Sequence, residues 1–232
     1  MAAIALGPQV WRIPTAGDFI NSFAFEQDDG SVTLVDTGVS RASKRIVAGL
    51  AQIGKHPGDV QRIILTHAHN DHAGSAAALL PQTSADGTVV HAEDAHYVEA
   101  GQAAPASGLG KILQRLPGQG FAAVPVTHQV VDGELLEGGL RVHHTPGHTP
   151  GHMSLLHEPT GILITGDCIF NMAGRMTWPV RAFCTDFPLN QNTAATLADL
   201  EYSIAAFTHG PHLDERAREQ VRGFLRRRGV VR

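Results

Sequence analysis

From Thr66 to Gly74 the chain reads Thr-His-Ala-His-Asn-Asp-His-Ala-Gly, directly behind the apolar run Ile63–Leu65. His67, His69, Asp71 and His72 fall within six positions. Side chains of this kind are buried only when they are partnered, so the segment makes poor packing material. A strand has to deliver it to the end of a sheet, and a helix has to begin as it finishes. His67 and His69, on the turn leaving the strand, can converge on one point. Asp71 and His72 open the helix and can face a second point close by. Imidazole and carboxylate together suit zinc and other first-row metals.

The surroundings of this segment set the fold class. Short β-branched runs at 10–13, 22–25, 32–35, 63–65 and 88–91 read as strands, and so do 140–143, 153–156, 161–165 and 204–207. Helical patterns over 40–50, 73–80, 94–100, 109–116, 193–200 and 215–227 fall between or after them. The expectation is one α/β domain over residues 1–232, with two packed sheets and helices outside, and a seam near 118–124.

Three further pieces carry chemistry. Thr145-Pro-Gly-His-Thr-Pro-Gly-His152 is a tight loop that presents His148 at a strand end. His152, at the start of the next strand, reads as a core residue or as a partner of the ligands, with direct ligation a third possibility. Ile164-Thr-Gly-Asp167 places a carboxylate where it could bridge two metals roughly 3.5–4 Å apart. Phe207-Thr-His-Gly-Pro-His212 offers His209 as a ligand and His212 as a loop residue. Asp36, in Leu34-Val-Asp-Thr-Gly38, is either a turn or cap residue or the acceptor that orients a histidine of the first cluster.

Composition removes several alternatives. The chain has 232 residues, a net charge of −4 and no apolar run near the roughly 20 residues of a membrane span. No global positive field invites nucleic acid, and the seven arginines between 216 and 232 read as a solvated helix face. The N-terminus lacks a basic stretch before its short apolar run, so no secretory signal is expected, and the expected compartment is the cytoplasm. Cys168 and Cys184 form no disulfide framework, and Cys168 is expected to be a small buried residue facing away from Asp167. Histidine is the excess: fourteen, against three lysines. Seven of the fourteen lie in the three His-containing motifs, and the rest read as ordinary.

Taken in order, Val-Asp36-Thr-Gly, the 67–72 cluster, the 145–152 loop, Gly-Asp167 and Thr-His209-Gly resemble the metallo-β-lactamase superfamily over about residues 10–212. The resemblance implies an αβ/βα four-layer sandwich, two mixed β-sheets flanked by helices, with a site along one edge. It implies one metal on His67, His69 and His148, a second on Asp71, His72 and His209, and Asp167 bridging both. Asp36 and His152 would support these ligands. The implied cofactors are two divalent ions, zinc first, with iron or manganese as alternatives. A hydroxide shared by the two ions would attack a carbonyl, and Asp71 would carry the proton to the leaving group.

The expected reaction is hydrolysis of an ester, thioester or lactone of a small molecule, with neither nucleic acid nor membrane as partner. True β-lactamases of the family place Cys or Ser where Asp167 stands, so lactams are not expected. Hydroxyacylglutathione hydrolases share the metal positions but carry a helical extension beyond the last ligand, where residues 210–232 follow here. A lactonase tyrosine after the bridging Asp is replaced by Cys168-Ile-Phe-Asn171. The segment 168–188 is either a pocket wall or ordinary packing. As a wall it would offer Phe170 and Trp178, opposite Phe19 and Ile20. Two readings compete with the hydrolase: a mononuclear iron oxygenase of the persulfide dioxygenase kind, and a non-catalytic metal-binding protein.

Overall fold

Seven strands lie side by side in chain order in the first sheet of the computed structural model: Ile4–Gly7 (β1), Val10–Pro14 (β2), Asn21–Glu26 (β3), Val32–Val35 (β4), Val60–Ile64 (β5), Thr88–His91 (β6) and Val126–Val130 (β7). The structure describes residues 2–108, 110–114 and 120–232. Strands β1 to β4 pair antiparallel through short turns. From β4 onward the pairing is parallel, which demands long crossovers, and these carry the helices Ser43–Gln52, Asn70–Ala73, Ala76–Leu79 and Ala92–Ala100. The second sheet uses Leu135–Leu136 (β8), Leu140–His144 (β9), Met153–His157 (β10) and Ile162–Ile164 (β11). A hairpin of Phe170–Met172 (β12) and Arg175–Thr177 (β13) stands apart, and Ile204–Ala206 (β14) completes the second sheet in the order β14-β11-β10-β9-β8.

Strand alternation sorts the side chains into layers. Phe23, Phe25, Val35 and Ile64 of the first sheet meet Leu140, Val142, Leu155, Ile162 and Ile164 of the second in one buried cluster between them. Their sequence neighbours point the other way. Ala24, Leu34 and Ile63 pack under Ile46, Leu50, Leu79 and Val98 of the first sheet's helices. Leu156, Leu163 and Ala205 pack under Leu197, Val221, Phe224 and Leu225 of the second sheet's helices. Helix, sheet, sheet, helix is therefore the layer order, an αβ/βα sandwich of two mixed sheets.

Differences from the sequence reading have local causes. The first helix starts at Ser43 instead of Ser40, because Gly38 and Arg41 hold left-handed φ angles of 66° and 84° that a helix cannot contain. The 73–80 pattern breaks into two single turns at Gly74, where a Cβ would sit 2.1 Å from the Asn70 carbonyl and 2.5 Å from the Ser40 nitrogen. The 193–200 pattern is also two helices, Phe187–Thr193 and Thr196–Asp199, the first capped by Asp186, whose side chain accepts from the Leu189 N–H. Strands β1, β7 and β8 have no counterpart among the expected strands, because β1 and β8 are short and most of β7 is exposed. Gly110–Leu113 is helical, whereas residues 109, 115 and 116 of the expected 109–116 helix, and 118–119 of the expected seam, lie outside the described residues. The last helix, Ala217–Arg227, buries Val221, Phe224 and Leu225, while Arg216 and Arg218 pair with Glu219 and Glu201 on its exposed face. Among the described residues no helix is long and apolar enough to cross a membrane.

Candidate metal centre

Every chemical motif leaves a strand at the same edge of the sandwich. Thr66–His72 follows β5, the 145–152 loop joins β9 to β10, Asp167 lies in the turn after β11, and His209 follows β14. The two sheets thus contribute from opposite sides. Ligand atoms of His67, His69 and His148 lie within 4.8 Å of one another, and so do those of Asp71, His72, Asp167 and His209.

Asp167 faces both groups. Its Oδ2 lies 3.2 Å from His148 Nε2, 3.3 Å from His209 Nε2 and 3.9 Å from His67 Nε2, while its Oδ1 is 3.3 Å from His72 Nε2. His69 Nδ1 is 3.0 Å from His148 Nε2. Asp71 Oδ2 is 3.3 Å from His209 Nε2 and 3.7 Å from His72 Nε2. Nearly all of these groups are buried, and Asp71 is the most open of them. The Nε2 atoms of His67, His72 and His209 are buried with no hydrogen-bond partner. Three orphaned imidazole nitrogens aimed at two carboxylates are a costly arrangement for a bare protein and a fitting one for divalent cations.

Burial and neighbours split the site electrostatically. Burial, with the neighbouring imidazoles adding to it, drives His69 down to about 3 and His67 well below the ordinary histidine value. Burial also opposes charge on His72 and His209, but there the carboxylates win. Asp167, Asp71 and Asp36 hold His72 well above its ordinary value, and Asp167 with Asp71 lifts His209 to about 10. Burial would raise both acids, yet the imidazoles around Asp71 and Asp167 outweigh it and keep both ionised far below the usual carboxylate range.

Asp36 orients the first cluster. It ends β4 in a left-handed conformation, φ 59°, which an Asp tolerates better than most residues. Its carboxylate accepts the Thr66 N–H at 2.8 Å, the Thr66 hydroxyl at 2.9 Å and His72 Nδ1–H at 2.8 Å. Tying Nδ1 down fixes which nitrogen of His72 faces the site. His152 stands outside both ligand groups: its Nδ1–H donates to the Thr145 carbonyl at 2.9 Å, and its Nε2 accepts the Asp167 N–H at 2.7 Å. Nε2 thus holds the Asp167 backbone, while Nδ1 anchors the ring to Thr145. Gly166 makes room for this contact, since a Cβ there would meet His152 Nε2 at 2.5 Å.

One supporting residue has no signal in the sequence reading. Asp94, fully buried in the first turn of helix Ala92–Ala100, accepts the Ala68 N–H at 2.8 Å, the Thr149 hydroxyl at 2.7 Å and the Gly151 N–H at 2.7 Å. It clamps the loop of His67 and His69 to the loop of His148. Asn21 does the same for His209, donating to the carbonyls of Phe207 at 3.0 Å and Gly210 at 2.8 Å.

A cavity of about 380 Å³ opens over the centre, with His69, Asp71, His148, Asp167 and His209 on one side. Ala103, Phe170, Met172, Val180 and Phe183 also line it. Of the four expected wall residues, Phe170 lines this cavity, and Trp178, Phe19 and Ile20 do not. The β12–β13 hairpin explains Trp178. Phe170 and Met172 share one face of the ribbon, whereas Met176 and Trp178 share the other and pack outward, Trp178 against Phe224 at 4.9 Å between ring centroids. Phe19 is exposed on the β2–β3 turn. Cys168 is buried in the outer cluster of the second sheet, away from the ligands. Cys184 reaches the site from the other side, its Sγ 3.5 Å from His148 Nδ1.

A family model for the metallo-beta-lactamase superfamily matches residues 15–209. Among curated relatives, an uncharacterized protein of Bacillus subtilis, YobT, is 32% identical over 222 residues, covering 87% of this chain and 89% of the relative. A probable metallo-hydrolase of the same organism, YybB, is 28% identical, covering 82% of this chain and 80% of the relative. Among solved structures, the metallo-β-lactamase MIM-1 of Novosphingobium pentaromativorans superposes with a TM-score of 0.74 at 23% identity, over 98% of this chain and 87% of that one.

Proposed function

Because the chain belongs to the metallo-β-lactamase superfamily, we propose that it is a hydrolase that works with two divalent ions, zinc foremost, on the carbonyl of a small ester, thioester or lactone. The observation that carries this reading is the position of Asp167, one carboxylate within 3.9 Å of imidazole nitrogens from both ligand groups. His67, His69 and His148 would hold one ion, Asp71, His72 and His209 the other, and Asp167 both. Ions held there supply a water of strongly lowered pKa and a Lewis acid for the carbonyl.

The protein's own groups do the rest. Asp36 and His152 keep His72 and Asp167 in place, which fixes the nitrogen of His72 and the carboxylate of Asp167 that would meet an ion. Asp71, the most exposed of the ligand set, lines the cavity and stays ionised beside His72 and His209. In this reading it would take the proton that the attacking water loses and deliver it to the departing oxygen or sulfur as the carbonyl bond to that atom breaks. The apolar side of the cavity, Ala103, Phe170, Met172, Val180 and Phe183, would receive the rest of the substrate.

Elemental analysis of protein purified without chelator should find about two ions per chain. The same preparation should turn over members of an ester, thioester and lactone panel, and His67→Ala should lose metal and activity while circular dichroism shows the fold retained. Full activity in a metal-free preparation, or no turnover with zinc, manganese or iron loaded, would sink the reading. Oxygen uptake with a persulfide substrate would favour the iron oxygenase instead.

A further inference from the structure

The side of the cavity opposite the ligands is graded. Phe170 lies against the metal centre, its ring 4.3 Å from the His209 ring between centroids, and is only 9% exposed. Met172 follows on the same face of the hairpin, and the surface then rises to Phe183 at 38% and Val180 at 55% exposure. Val180 and Phe183 carry a buried apolar wall out to solvent, and a contiguous apolar strip bordering a polar site is a ligand-binding surface in type. The wall is also pinned to the ligand loops and needs no ordering on binding. Asn171 N–H donates to the His209 carbonyl at 2.9 Å, Thr185 N–H to the His148 carbonyl at 3.0 Å, and Ser107 N–H to the Cys184 carbonyl at 2.9 Å. Gly110 is pressed against the same segment, since a Cβ there would sit 1.6 Å from the Ala182 carbonyl oxygen. Of the polar lining residues outside the ligand set, Gln114 is bonded to the Ala104 carbonyl and the Ala106 N–H, and Asn70 accepts the Ser40 hydroxyl at 3.2 Å.

We infer that this wall is an acyl-chain subsite: the substrate is a neutral carbonyl compound with a medium-length aliphatic acyl chain that runs from Asp167 past Phe170 and Met172 to Val180 and Phe183. The assignment rests on the hydrolase reading for the placement of the carbonyl, while the wall itself can be read by binding alone. A chain laid along a preformed apolar surface gains affinity with each methylene it removes from water.

Straight-chain alkyl hydroxamates, whose head groups chelate zinc, provide the probe. Calorimetry on the zinc-loaded protein should show Kd falling roughly threefold for each methylene added from acetohydroxamate to octanohydroxamate. Phe183→Ala and Val180→Ser, both at half-open positions, should each reduce the octano-to-aceto ratio of affinities by about tenfold, with circular dichroism as the control for folding. A flat series in the parent protein, or an unchanged ratio in both variants, overturns the subsite. Hydrolysis of the acyl esters separates the two readings. A steep hydroxamate series without any ester turnover sinks the hydrolase and leaves the subsite standing, whereas turnover with a flat series does the reverse.

Discussion

The two ligand groups are close neighbours and chemical opposites. His67, His69 and His148 form an all-imidazole pocket in which burial keeps His67 and His69 uncharged. Asp71, His72, Asp167 and His209 combine two ionised carboxylates with two imidazoles that those carboxylates hold protonated. A cation entering the first group meets His67 and His69 already uncharged. One entering the second must displace protons, and it meets negative charge that is already in place. The same two residue types therefore give one half whose loading depends weakly on pH and another whose loading depends on it strongly.

Three changes test this contrast, beginning with the largest effect. Asp167→Ala removes the carboxylate that faces both halves, so both should fail together. Elemental analysis should show loss of both ions, and turnover should drop by at least about 10³-fold. Loss of one ion with turnover retained would show that the halves do not share this residue. Asp94→Asn probes the clamp next. Its amide keeps the shape but sets an N–H against donors, so chelator-competition titration should weaken zinc binding by about 10–100-fold in the all-imidazole half and by less in the other. Urea unfolding of the metal-free protein should also lose about 2–4 kcal/mol, because buried donors are left unsatisfied.

The smallest effect is graded with pH. The ordinary histidine value is 6.5 and His209 is lifted to about 10. In metal-free protein its proton stabilises the fold fully below about pH 6.5, and that stabilisation fades as pH rises towards 10. Zinc competes with the same proton, so affinity in the carboxylate-bearing half should strengthen by roughly tenfold per pH unit, per proton displaced, between about pH 6.5 and 8. The imidazole half, where His67 and His69 are already uncharged, should change less over that range. Equal slopes in the two halves would break the comparison.

What could be read before folding follows sequence distance. His67, His69, Asp71 and His72 are legible because the backbone of one turn sets their spacing, and His148 because proline and glycine mark its loop. Asp94 is not, since its partners lie 26 and more residues away and its own helix turn looks like any other. The cavity wall was half visible. Apolar residues between 168 and 188 suggest a wall, but which of them face it depends on the β12–β13 ribbon, and that turns through Ala173-Gly174 at φ 52° and 73°. Such a turn is signalled by Asn-Gly or Asp-Gly, and Ala-Gly is a weak substitute. Without the hairpin, Trp178 cannot be told from Phe170. The layers themselves are legible through alternation, except at β1, β7 and β8, strands too short or too exposed to carry a pattern.

The ligands also come from both sheets, His67 to His72 from the first and His148, Asp167 and His209 from the second. An ion held between them acts as a rivet across the seam at the edge where the apolar filling ends. Because such an ion binds the closed sandwich and not the open chain, at a thousand times its dissociation constant it adds about 4 kcal/mol to the hold between the sheets. That is a sizeable share of what keeps a domain folded. Starving this protein of metal would therefore loosen its architecture as well as empty its site.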